Sequence, residues 1–446
     1  MHEPEIWPIT AMLNEHGQLQ IGGCDTGELA ATYGTPLYLF DELSIRTACR
    51  TYRRKLAQHY PGQTRVQYAA KALLNTALAQ LIASESLGLD VVSAGELAVA
   101  RHAGVPAEQI HLHGNATPAA ELMAAIDGGV GQIIIDNLDQ LDLVIRLCAN
   151  RPTPQAIALR LSPEIAADTH HHIQTGHATS KFGLPLHMLD TAAQRIRGAA
   201  GLQLVGLHAH LGSQIFATEP FEQAITVLLD SAHRLLHHYG LPIHEINPGG
   251  GLGVAYTAEQ ASPDLARYAA RIGTTLAAGA HARGMPLPTL VVEPGRSIIA
   301  RAGVALYTII ASKPLAPGSD ATRYLHIDGG MGDNIRPALY GARYTALLAN
   351  RAADTADELV HVAGRYCESG DVLLRSCMLP HAAVGDTLAV AAAGAYTLSM
   401  ASNYNLVPRP AVLLLGAGRA RLIQRRETYA DLLVRDRLLY SEVQND

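Results

Sequence analysis

The sequence has few of the residues that mark several large classes of protein. Charged residues make up 17% of its 446 residues and the net charge is −6, so we expect no basic surface for nucleic acid. The N-terminus has neither a basic segment nor a long apolar one, which argues against a secretory signal. The five cysteines show no paired metal spacing and no disulfide framework: Cys24, Cys49, Cys148, Cys367 and Cys377. A protein of the reducing cytoplasm is therefore expected.

Long apolar runs free of polar residues are also missing. One uncharged stretch, residues 387–408, is long enough to cross a membrane, but it contains two serines, two asparagines and two tyrosines. It therefore predicts no membrane span.

What the sequence does have is length. A chain of 446 residues is longer than an average domain with a single core, so we expect two domains. A barrel of up to about 250 residues would account for one of them.

From Tyr33 onward, short apolar runs alternate with helical stretches rich in alanine and leucine. All of the eight runs except the fifth end in a polar or glycine residue, and the first four start 22 residues apart. The eight runs are 66–71, 88–93, 110–115, 132–136, 156–161, 204–210, 245–251 and 289–295. This alternation predicts right-handed βαβ units, and eight of them predict a closed (β/α)8 TIM-type barrel. We place the barrel at residues 35–285.

The remaining residues, 1–34 and 286–446, are predicted to form a second, mostly β domain. Its β-rich segments, 304–312, 323–328, 387–391 and 411–415, have no long helices between them. This favours a sandwich or a Greek-key barrel, with the first 30 residues adding a strand.

A long loop, residues 168–183, is predicted between the fifth and sixth barrel strands, on the active side of the barrel. It contains the triplet His170, His171 and His172. No carboxylate or cysteine has ligand spacing nearby, so the triplet is interpreted as a solvated tip rather than a metal site.

Lys71 ends the first apolar run. Catalytic groups of such barrels project from the C-terminal ends of the strands. A lysine at that position is costly to desolvate and its pKa is easily lowered, which a Schiff-base amine requires. The plainer alternative is a lysine whose amine reaches water beyond the strand end.

His208 and His210 end the sixth run, and the period-two alternation of a strand turns both toward the same side. They are compatible with the His-x-His zinc pair of a barrel hydrolase. They are equally compatible with one histidine stacked on a flat cofactor ring, while Ser213 binds a phosphate. We favour the ring, because no second histidine pair and no suitably placed aspartate completes a zinc set.

Two turns follow the last two runs of the barrel. The segment Asn247-Pro248-Gly249-Gly250-Gly251-Leu252-Gly253 can bring backbone N–H groups to an anion, most simply a phosphate. The segment Glu293-Pro294-Gly295-Arg296 adds one carboxylate and one guanidinium. A carboxylate against a pyridine nitrogen keeps that nitrogen protonated. A pyridoxal 5′-phosphate site is therefore predicted from four residues: Lys71, Ser213, Gly251 and Glu293.

The β-rich half carries a further polar turn, Cys367-Glu368-Ser369-Gly370-Asp371. A free cysteine is usually a buried packing residue. Flanked by Glu368 and Asp371 in a glycine-containing turn, Cys367 is interpreted instead as a positioned thiol that donates a proton.

A series of motifs extends along nearly the whole chain, from Tyr38 to Pro410. They are Tyr68-Ala69-Ala70-Lys71, Ser93-Ala94-Gly95-Glu96-Leu97, His113-Gly114-Asn115, Ser180-Lys181-Phe182-Gly183, His210-Leu211-Gly212-Ser213-Gln214, Gly249-Gly250-Gly251, Glu293-Pro294-Gly295-Arg296, Arg336-Pro337-Ala338-Leu339-Tyr340, Cys367-Glu368-Ser369-Gly370-Asp371, Ser402-Asn403-Tyr404-Asn405 and Pro408-Arg409-Pro410. Together they resemble the diaminopimelate decarboxylases of the fold-type III pyridoxal-phosphate group. That group also contains ornithine and arginine decarboxylases and, more distantly, alanine racemase.

This resemblance implies how the cofactor would be held. Lys71 would bind it as a Schiff base, and His210 would stack on its ring. Glu293 would lie on the pyridine nitrogen. The phosphate and ring would be held by Ser213, Gly250, Gly251, Glu293, Pro294, Gly295, Arg296 and Tyr396.

The resemblance also implies the reaction, decarboxylation of meso-2,6-diaminopimelate to L-lysine and carbon dioxide, the last step of lysine biosynthesis. The substrate's distal end would be bound by Arg296, Arg336, Tyr340, Glu368 and Tyr396, with Glu368 taking the distal ammonium. Cys367 would return a proton after carbon dioxide leaves. Because the Cys-Glu turn of this family reaches the active site of a second subunit, a homodimer is implied.

Two positions depart from the family pattern, and three alternative functions stay open. Leu73 replaces an asparagine, and Ala116-Thr117-Pro118 replaces a segment with a lysine, which affects packing at the barrel mouth. A sister decarboxylase for ornithine, lysine, arginine or a carboxylated polyamine is disfavoured by Arg336, since a diamine-forming substrate has no distal carboxylate. Alanine racemase is disfavoured by Glu293, where that enzyme has an arginine. A catalytically silent homologue is disfavoured by intact Lys71 and Cys367.

Overall fold

The computed structural model of this chain describes residues 5–165 and 181–439. The histidine triplet, and with it most of the loop predicted at 168–183, lies outside these residues. The described chain begins with a small antiparallel sheet, followed by a helix, a strand and the long helix that leads into the barrel: β1 (Met12–Leu13), β2 (Leu19–Ile21), β3 (Cys24–Asp25), α1 (Thr26–Tyr33), β4 (Leu37–Asp41) and α2 (Glu42–His59).

Eight parallel strands form a closed ring, which confirms the predicted (β/α)8 barrel. In chain order they are β5 (Thr64–Ala69), β6 (Gly88–Val91), β7 (Ile110–Leu112), β8 (Gln132–Ile135), β9 (Gln155–Ser162), β11 (Leu202–His208), β12 (Glu245–Asn247) and β13 (Thr289–Val292). Each pairs with the next, β13 pairs with β5, and a two-residue strand, β10 (Leu184–Pro185), adds to β9. Most of their residues are buried, as expected for strands covered on both faces.

Helices surround this ring and alternate with its strands. They are α3 (Thr76–Ser84), α4 (Ala94–His102), α5 (Ala119–Asp127), α6 (Leu138–Cys148), α7 (Leu189–Arg197), α8 (Glu219–Tyr239) and α9 (Leu265–Ala282). Asn75 and Ser93 cap α3 and α4, since their side chains accept hydrogen bonds from the backbone N–H groups of Leu78 and Glu96. None of the helices among the described residues combines the length and the apolar character that crossing a membrane would need.

The second domain is mostly β, as predicted. After the short helix α10 (Arg296–Ile299), its elements are β14 (Gly303–Pro314), β15 (Arg323–Ile327), α11 (Arg336–Tyr340), β16 (Ala346–Leu348), β17 (Glu358–Ala363), β18 (Val372–Leu379), β19 (Thr387–Val390), β20 (Ala411–Gly416), β21 (Arg419–Gln424) and α12 (Tyr429–Leu433). The sheet order is β18-β17-β15-β14-β4-β20-β21, and β19 joins β14 to β16.

The strand pairings place the domain boundaries differently from the predicted 35 and 285. β4 pairs with β14 and β20, so residues 37–41 belong to the β-rich sheet, whereas β13 completes the barrel at residues 289–292. The physical reason is that a short buried apolar run looks alike in a barrel and in a central sheet strand.

The N-terminal residues also differ from the prediction that they add a strand to the second domain. They form their own three-stranded sheet, and its apolar side chains pack on the larger sheet instead of pairing with it. Trp7, Leu19 and Ile21 are buried there together with Leu306 and Leu413. Burial of side chains holds this segment in place, together with single backbone hydrogen bonds from the N–H groups of Ala353 and Gly418 to the carbonyls of Gly17 and Gly22.

Candidate active site

A pocket lies at the C-terminal ends of the barrel strands, with about 390 Å³ of empty space that is partly open to solvent. Most of the predicted cofactor residues meet in its lining, which consists of Ala69, Lys71, His210, Gly212, Ser213, Gly251, Leu252, Glu293, Gly295, Arg296, Ser297 and Tyr396. Gly250 and Pro294 are chain neighbours of lining residues. Lys71 and Tyr396 therefore face the same pocket, although they are 325 residues apart in the chain.

Lys71 lies two residues beyond the end of its strand and not at the strand end as predicted, because β5 ends at Ala69 and residues 70–72 form a single 3₁₀ turn. The backbone around this turn is held from two sides. The N–H of Ala69 donates to the carbonyl of Pro294 (3.2 Å), and the N–H of Tyr396 donates to the carbonyl of Ala72 (2.8 Å). The Lys71 side chain is exposed toward the pocket on this fixed turn.

The glycine-rich turn after β12 lies so close to its neighbours that side chains do not fit. A Cβ on Gly250 would lie 2.0 Å from the carbonyl oxygen of Glu293, and one on Gly251 would lie 2.2 Å from that of Gly212. Gly251 also has a φ of +106°, a conformation that L-residues rarely adopt. Backbone amides, and not side chains, therefore form this wall of the pocket.

Glu293 forms the polar floor of the pocket and is almost completely enclosed. Its Oε1 accepts a hydrogen bond from Asn247 Nδ2 (2.6 Å), and its Oε2 lies 3.1 Å from His208 Nε2. His113 Nε2 lies 3.4 Å from Oε1 and 3.5 Å from a carboxylate oxygen of Asp90. One imidazole, His113, thus connects the two buried carboxylates of Asp90 and Glu293, and a second imidazole, His208, contacts Glu293 alone.

The electrostatics of this floor favour an ionised Glu293. Burial alone would raise the pKa of Glu293, but His208 and His113 outweigh it and hold that pKa well below its usual range. Burial alone would lower the pKa of His113, but Glu293 and Asp90 raise it to about 9. Burial lowers the pKa of His208 to about 4, so His208 supplies a hydrogen bond and His113 supplies the positive charge.

Ligand atoms of His113, His208 and Glu293 lie within 4.8 Å of one another, close enough for a metal site by distance alone. However, both histidines contact the Glu293 carboxylate directly, at 3.4 and 3.1 Å. His210, the other half of the considered zinc pair, instead accepts a hydrogen bond from the N–H of Gly250 (3.4 Å). The ligand atoms of the cluster are therefore engaged with each other.

Arg296 and Ser213 lie together on the opposite side of the pocket. The guanidinium Nη2 donates to Ser213 Oγ (2.9 Å), and Nη1 donates to the hydroxyl of Tyr256 (2.5 Å). The ring of Tyr396 lies 4.7 Å from the Arg296 Cζ. Tyr396 has a φ of +59°, which is rare outside glycine, so its backbone is held in a strained conformation at the pocket.

Arg336 lies next to this group, at the start of α11. Its Nη1 donates to the hydroxyl of Tyr344 (2.5 Å), and its Cζ lies 4.7 Å from the centre of the Tyr256 ring. Both Arg296 and Arg336 are more than nine-tenths buried. Within residues 5–165 and 181–439, neither guanidinium forms an ion pair with a carboxylate. Two buried cations without a counter-ion make this side of the site suited to an anion.

Four residues predicted to bind the substrate or donate the proton lie outside the pocket lining: Arg336, Tyr340, Cys367 and Glu368. Cys367 and Glu368 are exposed, and the N–H of Cys367 donates to Asn405 Oδ1 (3.0 Å). Tyr340 is half-buried at the end of α11. Asp371, expected to flank the thiol, instead accepts backbone hydrogen bonds from Met331 and Tyr366, so it fixes the turn.

Comparison with known proteins shows which family this sequence and this fold resemble. The family described as "Pyridoxal-dependent decarboxylase, pyridoxal binding domain" matches residues 43–300. A diaminopimelate decarboxylase from Synechocystis sp. is 42% identical over 97% of this chain and 92% of its own length. The chain belongs to the diaminopimelate decarboxylase family. A second member, from Bacillus subtilis, is 40% identical over 96% of this chain and 97% of its own length.

A solved structure of the same family shares the complete architecture. The diaminopimelate decarboxylase of M. jannaschii, crystallised in co-complex with L-lysine, superimposes with a TM-score of 0.88 at 32% identity. The match covers 96% of this chain and 98% of that one. Both domains of the decarboxylase fold are therefore present.

Sequence reasoning did not assign the supporting roles of the residues that surround the predicted ones. Asp90, His113 and His208 support Glu293, and Tyr256 and Tyr344 contact the arginines. The histidines left a signal, because His113 stands in a quoted motif and His208 shares a strand face with His210. The two tyrosines gave no signal in the sequence, since neither of them belongs to one of the quoted motifs.

Proposed function

We propose that this protein decarboxylates meso-2,6-diaminopimelate to L-lysine and carbon dioxide, the last step of lysine biosynthesis, with pyridoxal 5′-phosphate as cofactor. The observation that carries the proposal is one pocket lined by Lys71, the buried carboxylate of Glu293 and the buried guanidinium of Arg296. A second buried guanidinium, Arg336, lies next to Arg296, since both contact the ring of Tyr256. We call the Glu293 side the carboxylate floor and the side with the two arginines the guanidinium wall. The M. jannaschii relative binds the proposed product, L-lysine, which supports the assignment.

The residues of the pocket fit the proposed cofactor. The glycine turn leaves no space for side chains, and its amides, with Ser213 and Arg296, suit a phosphate. The Lys71 amine suits the aldehyde carbon, and the ionised Glu293 suits a protonated pyridine nitrogen. When bound, pyridoxal 5′-phosphate supplies a ring that accepts the electrons released as a carbon–carboxylate bond breaks.

The ring of His210 would lie flat against the cofactor. Burial, with the charges of Lys71 and Arg160, keeps the pKa of His210 well below its usual range. A neutral imidazole can pack on a cationic ring without repulsion. Tyr396 would complete the phosphate side from the β-rich domain, where its N–H is already fixed to Ala72.

The distal end of the substrate carries one carboxylate and one ammonium. Arg296, Arg336 and Tyr340 would bind the carboxylate, and Glu368 would bind the ammonium. A site that desolvates two guanidiniums discriminates strongly against substrates without an anion there. L-ornithine and L-lysine lack a distal carboxylate, so this wall disfavours the sister decarboxylase reaction.

Two subunits would share each active site. Cys367 and Glu368 are exposed, and beside them Tyr404 and Leu406 are 41% and 69% exposed. Tyr404 stacks on Tyr366 near the same turn, with ring centres 6.1 Å apart. A second copy of the chain would cover this surface and receive the thiol as its proton donor, so we propose a homodimer. The free state of the five cysteines favours the cytoplasm.

Product analysis tests the proposed reaction. Wild-type protein with cofactor should release carbon dioxide and L-lysine from meso-diaminopimelate, but no product from L-lysine, L-ornithine or L-arginine. Lys71→Ala should lose the activity together with the absorbance of the lysine-bound cofactor, because no other amine lies in the described lining. The matched control is Lys313→Ala on the exposed half of β14. Full activity of Lys71→Ala, or a colourless wild type containing stoichiometric zinc, would contradict the proposal.

Mixing tests the shared site. Lys71→Ala and Cys367→Ala should each have low activity alone, and a refolded mixture should regain part of it, because mixed dimers contain one intact site. No recovery in a mixture that sediments as a dimer would contradict the sharing.

A further inference from the structure

The two buried arginines of the site are held by two tyrosines that no motif singled out. Tyr256 lies in the loop after β12, and Tyr344 lies before β16, 88 positions later. Their rings meet edge to face, with centres 5.3 Å apart and planes at 85°. We call them the tyrosine pair.

Each tyrosine accepts a hydrogen bond from one arginine. Arg296 Nη1 donates to the Tyr256 hydroxyl (2.5 Å), and Arg336 Nη1 donates to the Tyr344 hydroxyl (2.5 Å). The Tyr256 ring also lies within reach of both cations, with the Cζ atoms of Arg296 and Arg336 at 5.7 and 4.7 Å from its centre. Such contacts are favourable and become stronger where water is excluded.

Charge explains why this arrangement is needed. All four side chains are buried, and the described part of the chain offers the arginines no carboxylate. Two like charges in a low-dielectric site repel each other and tend to move apart or toward water. Phenol oxygens and ring faces are the negative partners available. Burial raises the pKa of Tyr256, but Arg296 and Arg336 outweigh it and lower that pKa, in keeping with a strong interaction.

We propose that Tyr256 and Tyr344 are positioning residues that hold Arg296 and Arg336 at a fixed separation, ready for the distal carboxylate of the substrate. This inference rests on the proposed function. We assign the pair no contact with the substrate, because each hydroxyl already accepts a hydrogen bond from a guanidinium. It acts through the guanidiniums, and a hydrogen bond from Thr345 Oγ1 to the Tyr256 carbonyl (3.3 Å) ties the two loops together.

The test uses Tyr256→Phe and Tyr344→Phe holoenzymes, each of which loses one oxygen and keeps the ring. Loss of an acceptor for a charged donor should raise the KM for meso-diaminopimelate about tenfold or more. The kcat should stay within about twofold, since binding and not the bond-breaking step is affected. The matched control is Tyr60→Phe, which loses a buried hydroxyl bonded to the carbonyl of Pro288, far from the arginines.

Competitive inhibition separates a positioning role from a general loss of packing. L-lysine carries the carboxylate that the arginines would bind, whereas cadaverine is the same chain without it. Both variants should bind L-lysine about tenfold more weakly and cadaverine as well as wild type does. The absorbance of the lysine-bound cofactor should be unchanged. If one variant does not fold, the other tests the same inference.

Several results would overturn the inference. They are an unchanged KM in a folded variant, equal weakening for L-lysine and cadaverine, the same KM change in Tyr60→Phe, or loss of cofactor absorbance from both variants. A wild type that does not convert meso-diaminopimelate would instead overturn the proposed function, so the two failures are distinguishable.

Discussion

The two sides of the pocket handle buried charge in opposite ways. At the carboxylate floor, Glu293 is matched within the chain by the charge of His113 and by hydrogen bonds from His208 and Asn247. Burial and the nearby Glu293 raise the pKa of the second carboxyl, Asp90, to about 7. At the guanidinium wall, the described residues provide Arg296 and Arg336 with phenols but no carboxylate. The charge of Glu293 therefore has its partner in the folded chain, and the charges of the two arginines do not.

We propose that this difference decides which side of the pocket selects a ligand. A matched floor keeps one protonation state ready and requires nothing from the substrate. An unmatched wall has a cost of desolvated charge that only an anionic ligand relieves. We therefore assign the chemistry to the floor and the choice of substrate to the wall.

Substitutions that remove one charge from each side should show the difference between floor and wall most clearly. Glu293→Gln should lower activity about 10²–10⁴-fold, the usual effect of losing a group that holds a proton in place. It should also lower the free energy of unfolding by about 3 kcal/mol or more, because the charge of His113 loses a partner. Arg336→Met should change the free energy of unfolding by less than about 1 kcal/mol or raise it. Urea unfolding without added ligand measures both, and equal losses would contradict the comparison.

Cys367 belongs to neither the floor nor the wall of the pocket. Its substitution therefore tests whether these two sides are sufficient for catalysis. Cys367→Ala should keep the absorbance of bound cofactor and lose about a hundredfold in rate, since a proton donor is missing. Cys377→Ala, a half-buried cysteine on β18, is the matched control and should behave as wild type. Equal rates for the two variants would exclude the thiol from the reaction.

The smallest expected effect is a pH dependence of stability that comes from the floor. The pKa of His113 is about 9 in the folded chain, above its ordinary value near 6.5. A raised folded-state pKa stabilises below the ordinary value, and this contribution is lost as the pH rises toward 9. Stability should therefore fall by about 1–3 kcal/mol between pH 6.5 and 9. His113→Gln should flatten this fall in denaturation curves, and an unchanged slope would contradict the assigned charge.

Much of the fold could be predicted because its signals are local. The apolar runs 22 residues apart became β5 to β8, and Lys71 follows the first of them. The domain boundary could not be predicted, because β4 is defined by its pairing with β14 and β20 and not by its own residues.

The candidate site divides in the same way. Glycines and single charged residues at strand ends are readable, since each has a local role. The contact between His113 and Glu293 requires β7 and β13 to come near each other through β5 and β6, which only the closed ring achieves. The tyrosine pair requires the two domains to meet. Such contacts depend on tertiary structure, so no regular spacing in the sequence indicates them.

The most direct test of the central claim compares meso-diaminopimelate with D-lysine, which keeps the D-configured reacting centre and lacks only the distal carboxylate. Wild type should prefer meso-diaminopimelate in kcat/KM by about 10⁴-fold or more, as expected when buried polar groups are left unmatched by the wrong substrate. Arg336→Met should lose most of that preference while its cofactor absorbance stays. Equal preference in wild type and Arg336→Met would contradict the assignment of substrate choice to the guanidinium wall.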